Sequence, residues 1–373
     1  MSSEKLLVVQ FNKVDQQNFY KTLRSRVNAY FEQKKNTRQG NWTMHIKTIF
    51  MLSVYIVPFI LIMSNQFPSW ASYLFYAVMG LGIVGIGMNI MHDAMHGSYT
   101  NNQKLNRLLG YSLDFVGGCS SNWFIQHNIL HHTYTNIYGL DADIHDKPIL
   151  RLAPTGKWSP IHRFQHIYAL ALYGLSSISW VTMGDVRQLL SYRKRGLGKQ
   201  AGQNFKLTAT ILLLTKVAYV LTFICLPIWF TDLSLGQVLL GFLLMHVVAG
   251  VVLTTVFQLA HVIELTEYPT PDADGNIENT WAIHQLHTTA DFAKDSRLLS
   301  WLVGGLNFQV EHHLFPNICH IHYPKISPIV EQTAKEFGVP YLEHKTFGAA
   351  LVSHLKMLKR LGQKPVNRKT TAP

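Results

Sequence analysis

Histidines are the residues of this sequence whose number and spacing point most directly to chemistry. The chain has 19 histidines in 373 residues, almost as many as its 21 acidic residues. Neutral imidazole is a good ligand for iron, zinc and copper. Seven of the histidines form three short groups, which are His92–His96, His127–His132 and Gln309–His313, and His261 stands apart as an eighth candidate. This pattern predicts a transition-metal site.

The spacing within the first two groups places side chains on common helix faces. Residues four positions apart lie on one face of a helix, so His92 and His96 can point at one centre. His127 and His131 have the same relation. His132 lies about 100° round the helix from His131, and it could therefore serve a second ion.

The third group and the single histidine complete the set of candidate ligands. Gln309, His312 and His313 fall within about 100° of arc on a helix, and His261 ends a long apolar run. Eight histidines suit two ions better than one four-coordinate zinc. The 3 cysteines form no CxxC pair and no even set, so neither a disulfide scaffold nor a thiolate zinc site is expected.

Long uncharged runs identify the elements that must position these histidines. Charged residues make up only 14% of the chain, against about 25% in a typical soluble domain, and the aromatic content of 12% excludes intrinsic disorder. A bilayer core needs about 20 apolar residues per helix. Four runs approach that length and pair into two hairpins, at about 48–63, 71–91, 207–229 and 235–260. Buried helical pairs in a soluble protein are the alternative, but such helices are usually shorter.

The distribution of basic residues predicts the orientation of these runs. The two turns inside the hairpins contain no Lys or Arg, whereas the segments outside them contain many. The positive-inside rule then places the N-terminus, the histidine groups and the C-terminus in the cytoplasm. The predicted fold is an all-α integral membrane protein, in which four transmembrane helices carry a cytoplasmic helical cap that holds the histidines.

Three regions are predicted along the chain. Residues 1–45 form a cytoplasmic segment without the apolar stretch of a signal peptide. Residues 46–345 form the membrane domain, in which 161–191 is interpreted as an interfacial or buried helix on the cytoplasmic face. Residues 346–373 form a cytoplasmic tail whose end is expected to be disordered.

The histidine groups resemble the three histidine boxes of membrane fatty acid desaturases. HDAMH, HNILHH and QVEHH are similar to the family patterns HxxxH, HxxxHH and QxxHH, and the resemblance covers roughly residues 40–345. It implies four membrane helices, a cytoplasmic cap and two iron ions. The ligands that it implies are His92, His96, His127, His131, His132, His312 and His313, with His261 as a further ligand.

Gln309 makes the resemblance more specific. It stands where other members have a histidine, and it could be a weak ligand or support one. A glutamine there resembles the front-end group, which inserts a double bond between an existing one and the carboxyl end. The resemblance implies O₂ as co-substrate and an acyl lipid or acyl-CoA as substrate.

The electron donor and the location also follow from the resemblance. The chain lacks the HPGG motif of a fused cytochrome b5 domain, so an external ferredoxin or cytochrome b5 is expected to supply electrons to its basic face. A chain without a fused cytochrome b5 domain is expected, by analogy, to be an enzyme of a bacterial inner membrane. Membrane lipids are the expected surroundings, and no nucleic-acid partner is expected.

Six further polar residues are weaker candidates. A carboxylate beside a metal-bound imidazole usually tunes it, although a solvated charge fits the same sequence. A histidine elsewhere could reach the site or a substrate headgroup. The candidates are Asp93 and Glu311 next to ligands, Asp141 and Asp143 as residues that orient a loop or helix cap, and His284 and His287.

Rival functions keep or replace the metal chemistry. An alkyl or carotenoid hydroxylase would use the same site, and a sphingolipid desaturase would change only the substrate. A metal transporter or sensor would need ligand groups near the middle of the membrane. Only Lys216 and His246 are candidates there.

Overall fold

Four long apolar helices dominate the structure. The computed structural model describes residues 9–14, 18–145 and 147–365. The helices are Trp42–Met63, Ser69–Met95, Phe205–Phe230 and Leu235–His261, and each is long and apolar enough to cross a membrane. Large apolar side chains such as Ile49, Leu213 and Leu240 are exposed on them, as contact with lipid requires. The prediction of an all-α fold with four spanning helices is confirmed.

The second and fourth long helices pack closely against each other. A Cβ atom on Gly241 would overlap the ring of Tyr76, and one on Gly80 would overlap the carbonyl oxygen of Met245. Small residues at such contacts let two helix backbones approach, which is how membrane helices gain packing energy. Larger side chains at either glycine would push the two helices apart.

The turns of the two hairpins meet at one end of the bundle. The Nδ2 of Asn65 donates a hydrogen bond of 2.8 Å to the Oδ2 of Asp232, and the backbone N–H of Asp232 donates one of 3.2 Å to Asn65. The opposite ends of the second and fourth helices therefore lie together. These ends carry His92 and His261.

A cap of shorter helices surrounds the histidine-bearing ends. Phe19 and Leu23 pack with Val330 and Ala334 in its largest apolar cluster. Two parallel strand pairs tie distant segments together, Gln10–Phe11 with Asn276–Ile277 and Ala290–Phe292 with Leu342–His344. The α-helices outside the four long ones are Phe19–Gln33, Gln103–Gly110, Ser112–Phe115, Ser120–Trp123, His132–Tyr134, Gln165–Tyr173, Ser176–Ser179, Asp185–Lys194, Leu197–Gln200, Trp281–Thr288, Arg297–Leu302, Gln309–Leu314, Tyr323–Glu336 and Phe347–Leu361.

Two segments differ in detail from the sequence predictions. The helix expected over 161–191 is two arms, Pro160–Tyr173 and Ser176–Lys194, that meet at a bend of 67°. The predicted tail begins with the helix Phe347–Leu361, which buries Leu358 and Met357. The end of the tail, residues 366–373, lies outside the described residues. The placement of the bent segment at the cytoplasmic face stays a prediction.

The single cation in the third apolar run is held by an ion pair. Lys216 Nζ lies 2.5 Å from Asp185 Oδ2, and these side chains are only 13% and 5% exposed. The ammonium group also donates to the carbonyl oxygens of Gly117 and Trp180. The charge therefore has partners on the bent segment, so it does not interrupt the helix.

Replacing Lys216 by methionine should destabilise the protein by about 3–5 kcal/mol, because a buried carboxylate then loses its partner. The double variant Lys216→Met/Asp185→Leu should regain most of this loss, since no charge is left buried. Thermal unfolding of the detergent-solubilised chain measures both. Equal melting temperatures for the single variant and wild type would show that the pair contributes nothing.

Candidate metal centre

The candidate ligands come from four places in the fold that meet at the end of the bundle. The first group lies on the last turn of the second long helix, directly after the π-helical turn Ile86–Met91. The second group lies on a π-helical stretch, Phe124–His131, and the third on the short helix Gln309–Leu314. His261 is the last residue of the fourth long helix. Single π turns in helices are frequent at functional sites because they re-aim side chains.

Three buried histidines converge on one point. His131, His261 and His313 each offer a ring nitrogen, and these atoms lie within 4.8 Å of one another. The Nε2 atoms of all three have no hydrogen-bond partner although they are buried. Leaving a buried polar atom unpaired costs about 1–3 kcal/mol. A metal ion among them would satisfy all three atoms.

The other nitrogen of each ring is held by an acceptor. His131 Nδ1 lies 3.1 Å from a carboxylate oxygen of Asp141, and His313 Nδ1 lies 2.7 Å from Oε1 of Gln285. His261 Nδ1 lies 3.2 Å from the carbonyl oxygen of Thr288. Because an acceptor faces each Nδ1, that nitrogen carries a proton, and the Nε2 lone pair is left for a metal.

A second group gathers the remaining five histidines. His92, His96, His127 and His312 offer ring nitrogens within 4.8 Å of one another, and His132 joins His312 and His313 in an overlapping set. The Nε2 atoms of His132 and His312 are 3.0 Å apart. This arrangement places His132 between the two groups.

Burial and mutual repulsion keep three rings of this group neutral. The pKa values of His127, His132 and His312 lie well below the ordinary histidine value, because burial and then the neighbouring histidines disfavour the charged form. The Nε2 atoms of His127, His132 and His312 lie between 3.0 and 3.4 Å from one another. The donor set therefore fits two transition-metal ions, and all eight predicted ligands lie in the two groups.

Asp141 has a position that the sequence did not reveal. It was expected to orient a loop, and its Oδ2 also accepts the backbone N–H of Asn136 at 2.9 Å, but the same carboxylate faces the ring of His131. Burial alone would lower the pKa of His131, yet Asp141 and Asp143 raise it. Such a partner fixes the ring orientation and makes the ligand more basic.

The Asp141→Asn substitution should weaken metal binding by about 10–100-fold, the range for partners of metal-bound histidines. The amide can offer its NH₂ group to His131 and so favour the wrong tautomer. Competition with a coloured chelator measures the affinity of the purified chain for an added transition-metal ion. Asp274→Asn, in an exposed loop, is the matched control. Equal affinities in the two variants would remove Asp141 from the site.

Asp93 and Glu311 do not hydrogen-bond to a candidate ligand. Asp93 Oδ2 accepts hydrogen bonds from His320 Nδ1 at 2.8 Å and Cys319 Sγ at 2.9 Å, while its Oδ1 remains 3.8 Å from His92 Nδ1. Glu311 accepts a hydrogen bond of 2.9 Å from the hydroxyl of Tyr341. Both acids instead tie the site to neighbouring cap segments.

The helix Trp281–Thr288 supports the site, but through other residues than predicted. His284 Nε2 lies 2.8 Å from the carbonyl oxygen of Thr135, and His287 Nδ1 lies 2.9 Å from Glu267. Neither histidine belongs to the two groups. Gln285 and the backbone carbonyl of Thr288, on the same helix, face the ligands instead. No sequence pattern separates this glutamine from other glutamines, or this carbonyl group from other carbonyl groups.

A cavity of about 210 Å³ adjoins the second group. His92, His127 and Gln309 line it together with apolar residues such as Met88 and Leu253. The wall also contains His246, a mid-span histidine. Its Nε2 lies 3.1 Å from the hydroxyl of Tyr219, and its Nδ1 lies 3.1 Å from the hydroxyl of Ser177. The cavity brings apolar space within the membrane helices to the ring nitrogens.

Comparison with known proteins adds an independent observation. A family model described as fatty acid desaturase matches residues 68–345. The chain is 38% identical over 347 residues to an sn-1 linoleoyl-lipid 6-desaturase of Arthrospira platensis, covering 93% of each chain. A protein of the same name from Synechocystis sp. is 38% identical over 92% of this chain and 96% of its own. An acyl-lipid (8-3)-desaturase of Physcomitrium patens is 35% identical over 96% of this chain and 74% of its own.

Proposed function

The chain belongs to the fatty acid desaturase family, and we propose that it inserts a cis double bond into a membrane-lipid acyl chain on the carboxyl side of an existing double bond. One observation supports this most strongly: the ring nitrogens of eight histidines converge, several of them buried without a hydrogen-bond partner, beside a largely apolar cavity. Relatives named linoleoyl-lipid 6-desaturases and the glutamine that opens the third group support the front-end assignment.

We propose that the two groups hold two iron ions. One ion would bind His131, His261 and His313, and the other would bind His92, His96, His127 and His312, with His132 between them. Iron bound there supplies the oxidant that residues cannot: O₂, two external electrons, two protons and two hydrogens from adjacent carbons yield one double bond and two molecules of water. Zinc cannot do this because it has no redox chemistry.

The protein's own contribution is position. The cavity would hold the acyl chain with two neighbouring methylene groups against His92 and His127, and the apolar part of its wall would exclude water. The ring of Trp123 stacks on His127 with centroids 4.3 Å apart, which limits how far this ring can turn. A displacement of about 1 Å at such a site can cost about 10²-fold in rate. The depth of the cavity would therefore select the carbons that react.

The proposed orientation follows from charge. The chain would lie in the inner membrane of a bacterial cell. The hairpin turns without Lys or Arg would face outward, and both termini and the histidines would face the cytoplasm. An external ferredoxin or cytochrome b5 would deliver the electrons from that side. The acyl group is proposed to be carried on a membrane glycerolipid. The names of two relatives give a linoleoyl-lipid as the substrate of those proteins.

Feeding experiments test this function. A host without polyunsaturated lipids would express the chain and receive oleate, linoleate or α-linolenate, and mass spectrometry of derivatised lipids would locate new double bonds. We expect a new bond on the carboxyl side of an existing one, appearing first in glycerolipids, and none with His312→Ala. A hydroxylated product would indicate the rival hydroxylase. Product that appears first in acyl-CoA would reassign the carrier.

A further inference from the structure

A basic pocket lies on the surface of the cap. It has a volume of about 550 Å³, and Lys13, Lys21 and Arg24 line it together with the aromatic residues Tyr20 and Trp281. The three basic side chains are exposed. None of the described residues that line the pocket is acidic. The segment 9–38 contains seven Lys and Arg residues and two acids, so it carries a net positive charge.

The aromatic residues of the pocket hydrogen-bond to the backbone of two segments that carry proposed ligands. The indole Nε1 of Trp281 donates a hydrogen bond of 2.9 Å to the carbonyl oxygen of His132, the histidine between the two groups. The hydroxyl of Tyr20 donates one of 3.1 Å to the carbonyl oxygen of Leu314, which directly follows His313. The rings of Tyr20 and Trp281 pack edge to face with centroids 5.7 Å apart.

We infer that this pocket is the docking site of an acidic one-electron donor protein, such as a reduced ferredoxin. The inference rests on the proposed function, since each double bond requires two electrons and therefore two donor encounters. Each encounter oxidises one donor and adds one electron to the metal centre. Opposite charges on the two proteins accelerate such encounters. The hydrogen bond from Trp281 to the carbonyl oxygen of His132 connects the pocket to the histidine groups.

A protein fits the pocket better than a small anion does. The positive charges are exposed, with Lys21 and Arg24 about one turn apart on the helix Phe19–Gln33 and Lys13 before its start, and such a spread suits a broad acidic surface. Redox encounters are typically small interfaces that rely on charge and dissociate readily. A phosphate binder would instead surround its ligand with buried donors, and Lys13, Lys21 and Arg24 are not buried.

Charge reversal tests the docking site on the full chain in nanodiscs of neutral lipid. The probe is an acidic plant-type [2Fe–2S] ferredoxin, and the measurement is its Kd at about 0.05 M and about 0.3 M salt. The variant Lys21→Glu/Arg24→Glu is compared with Lys359→Glu/Arg360→Glu, an exposed pair on another cap helix with the same change of net charge. We expect the pocket variant to raise Kd at least about 10-fold at low salt, and the control about 3-fold or less.

The outcomes separate docking from desaturation. An equal loss of ferredoxin affinity in the two variants, or no loss in either, would overturn the docking site. Unchanged ferredoxin affinity with weakened binding of inorganic phosphate would make the pocket an anion site and also overturn it. Product formation by wild type with a chemical reductant is measured separately. Its absence would contradict the proposed function, whereas the binding result would stand.

Discussion

Replacing His261 by alanine should abolish double-bond formation and reduce bound iron from two ions to about one. His261 is the one proposed ligand outside the three sequence groups, and its unpaired Nε2 faces those of His131 and His313. Without His261, the site keeps His131, His313 and the neighbouring His132, but it loses one of its ring-nitrogen ligands. Removing a residue that only orients a metal ligand weakens metal binding by about 10–100-fold. Removing the ligand itself should therefore weaken iron binding by more than about 100-fold.

His287→Ala is the matched control for this experiment. His287 is also a cap histidine, but its partner is Glu267 and it lies in neither group. Iron analysis of the purified variants and lipid profiles of the expressing cells are the two measurements. Two bound irons and normal product in His261→Ala would show that this histidine is structural.

Replacing Gly87 by leucine should block the substrate while leaving the metal centre intact. Gly87 lines the cavity on the π-helical turn before His92. A Cβ atom there would meet only Leu253, at an ordinary distance of 3.7 Å. A larger side chain therefore fits by occupying the space proposed for the acyl chain. We expect product to fall by about 100-fold, in line with other positioning losses.

A graded series distinguishes obstruction from misfolding. Gly87→Ala should retain most of the product, and Gly87→Leu should lose it, with two irons bound in both. Gly236→Leu is the control, because Gly236 is exposed on the fourth long helix with open space at its Cβ position. Full activity of Gly87→Leu on 18-carbon chains would place the substrate elsewhere.

The spanning helices and the meeting of the histidines could be predicted from sequence for simple physical reasons. A bilayer requires long uncharged runs, and those runs are visible without a structure. Helical spacing placed His92 with His96, and the contact of their rings, with centroids 4.8 Å apart, follows that geometry. His261 could be predicted because it ends a span at the same membrane face.

The residues that orient the ligands could not be predicted. Gln285 lies 28 residues before His313 in sequence, on a different helix, and the two meet only because the cap folds over the bundle. Asp141 and Asp93 were both candidates, but only Asp141 hydrogen-bonds to a proposed ligand. Asp93 has His320 as its partner instead, and no helical spacing connects those residues. Such contacts depend on tertiary packing, which local patterns do not encode.

Iron titration of the metal-free chain tests the central claim most directly. The chain would be reconstituted in lipid with a chemical reductant, O₂ and a linoleoyl lipid, and product would be measured as ferrous iron is added. We predict that product formation rises until about two irons are bound per chain and then stays constant. A plateau at one iron, activity without iron, or full activity with zinc would contradict a site in which eight histidines hold two redox-active ions.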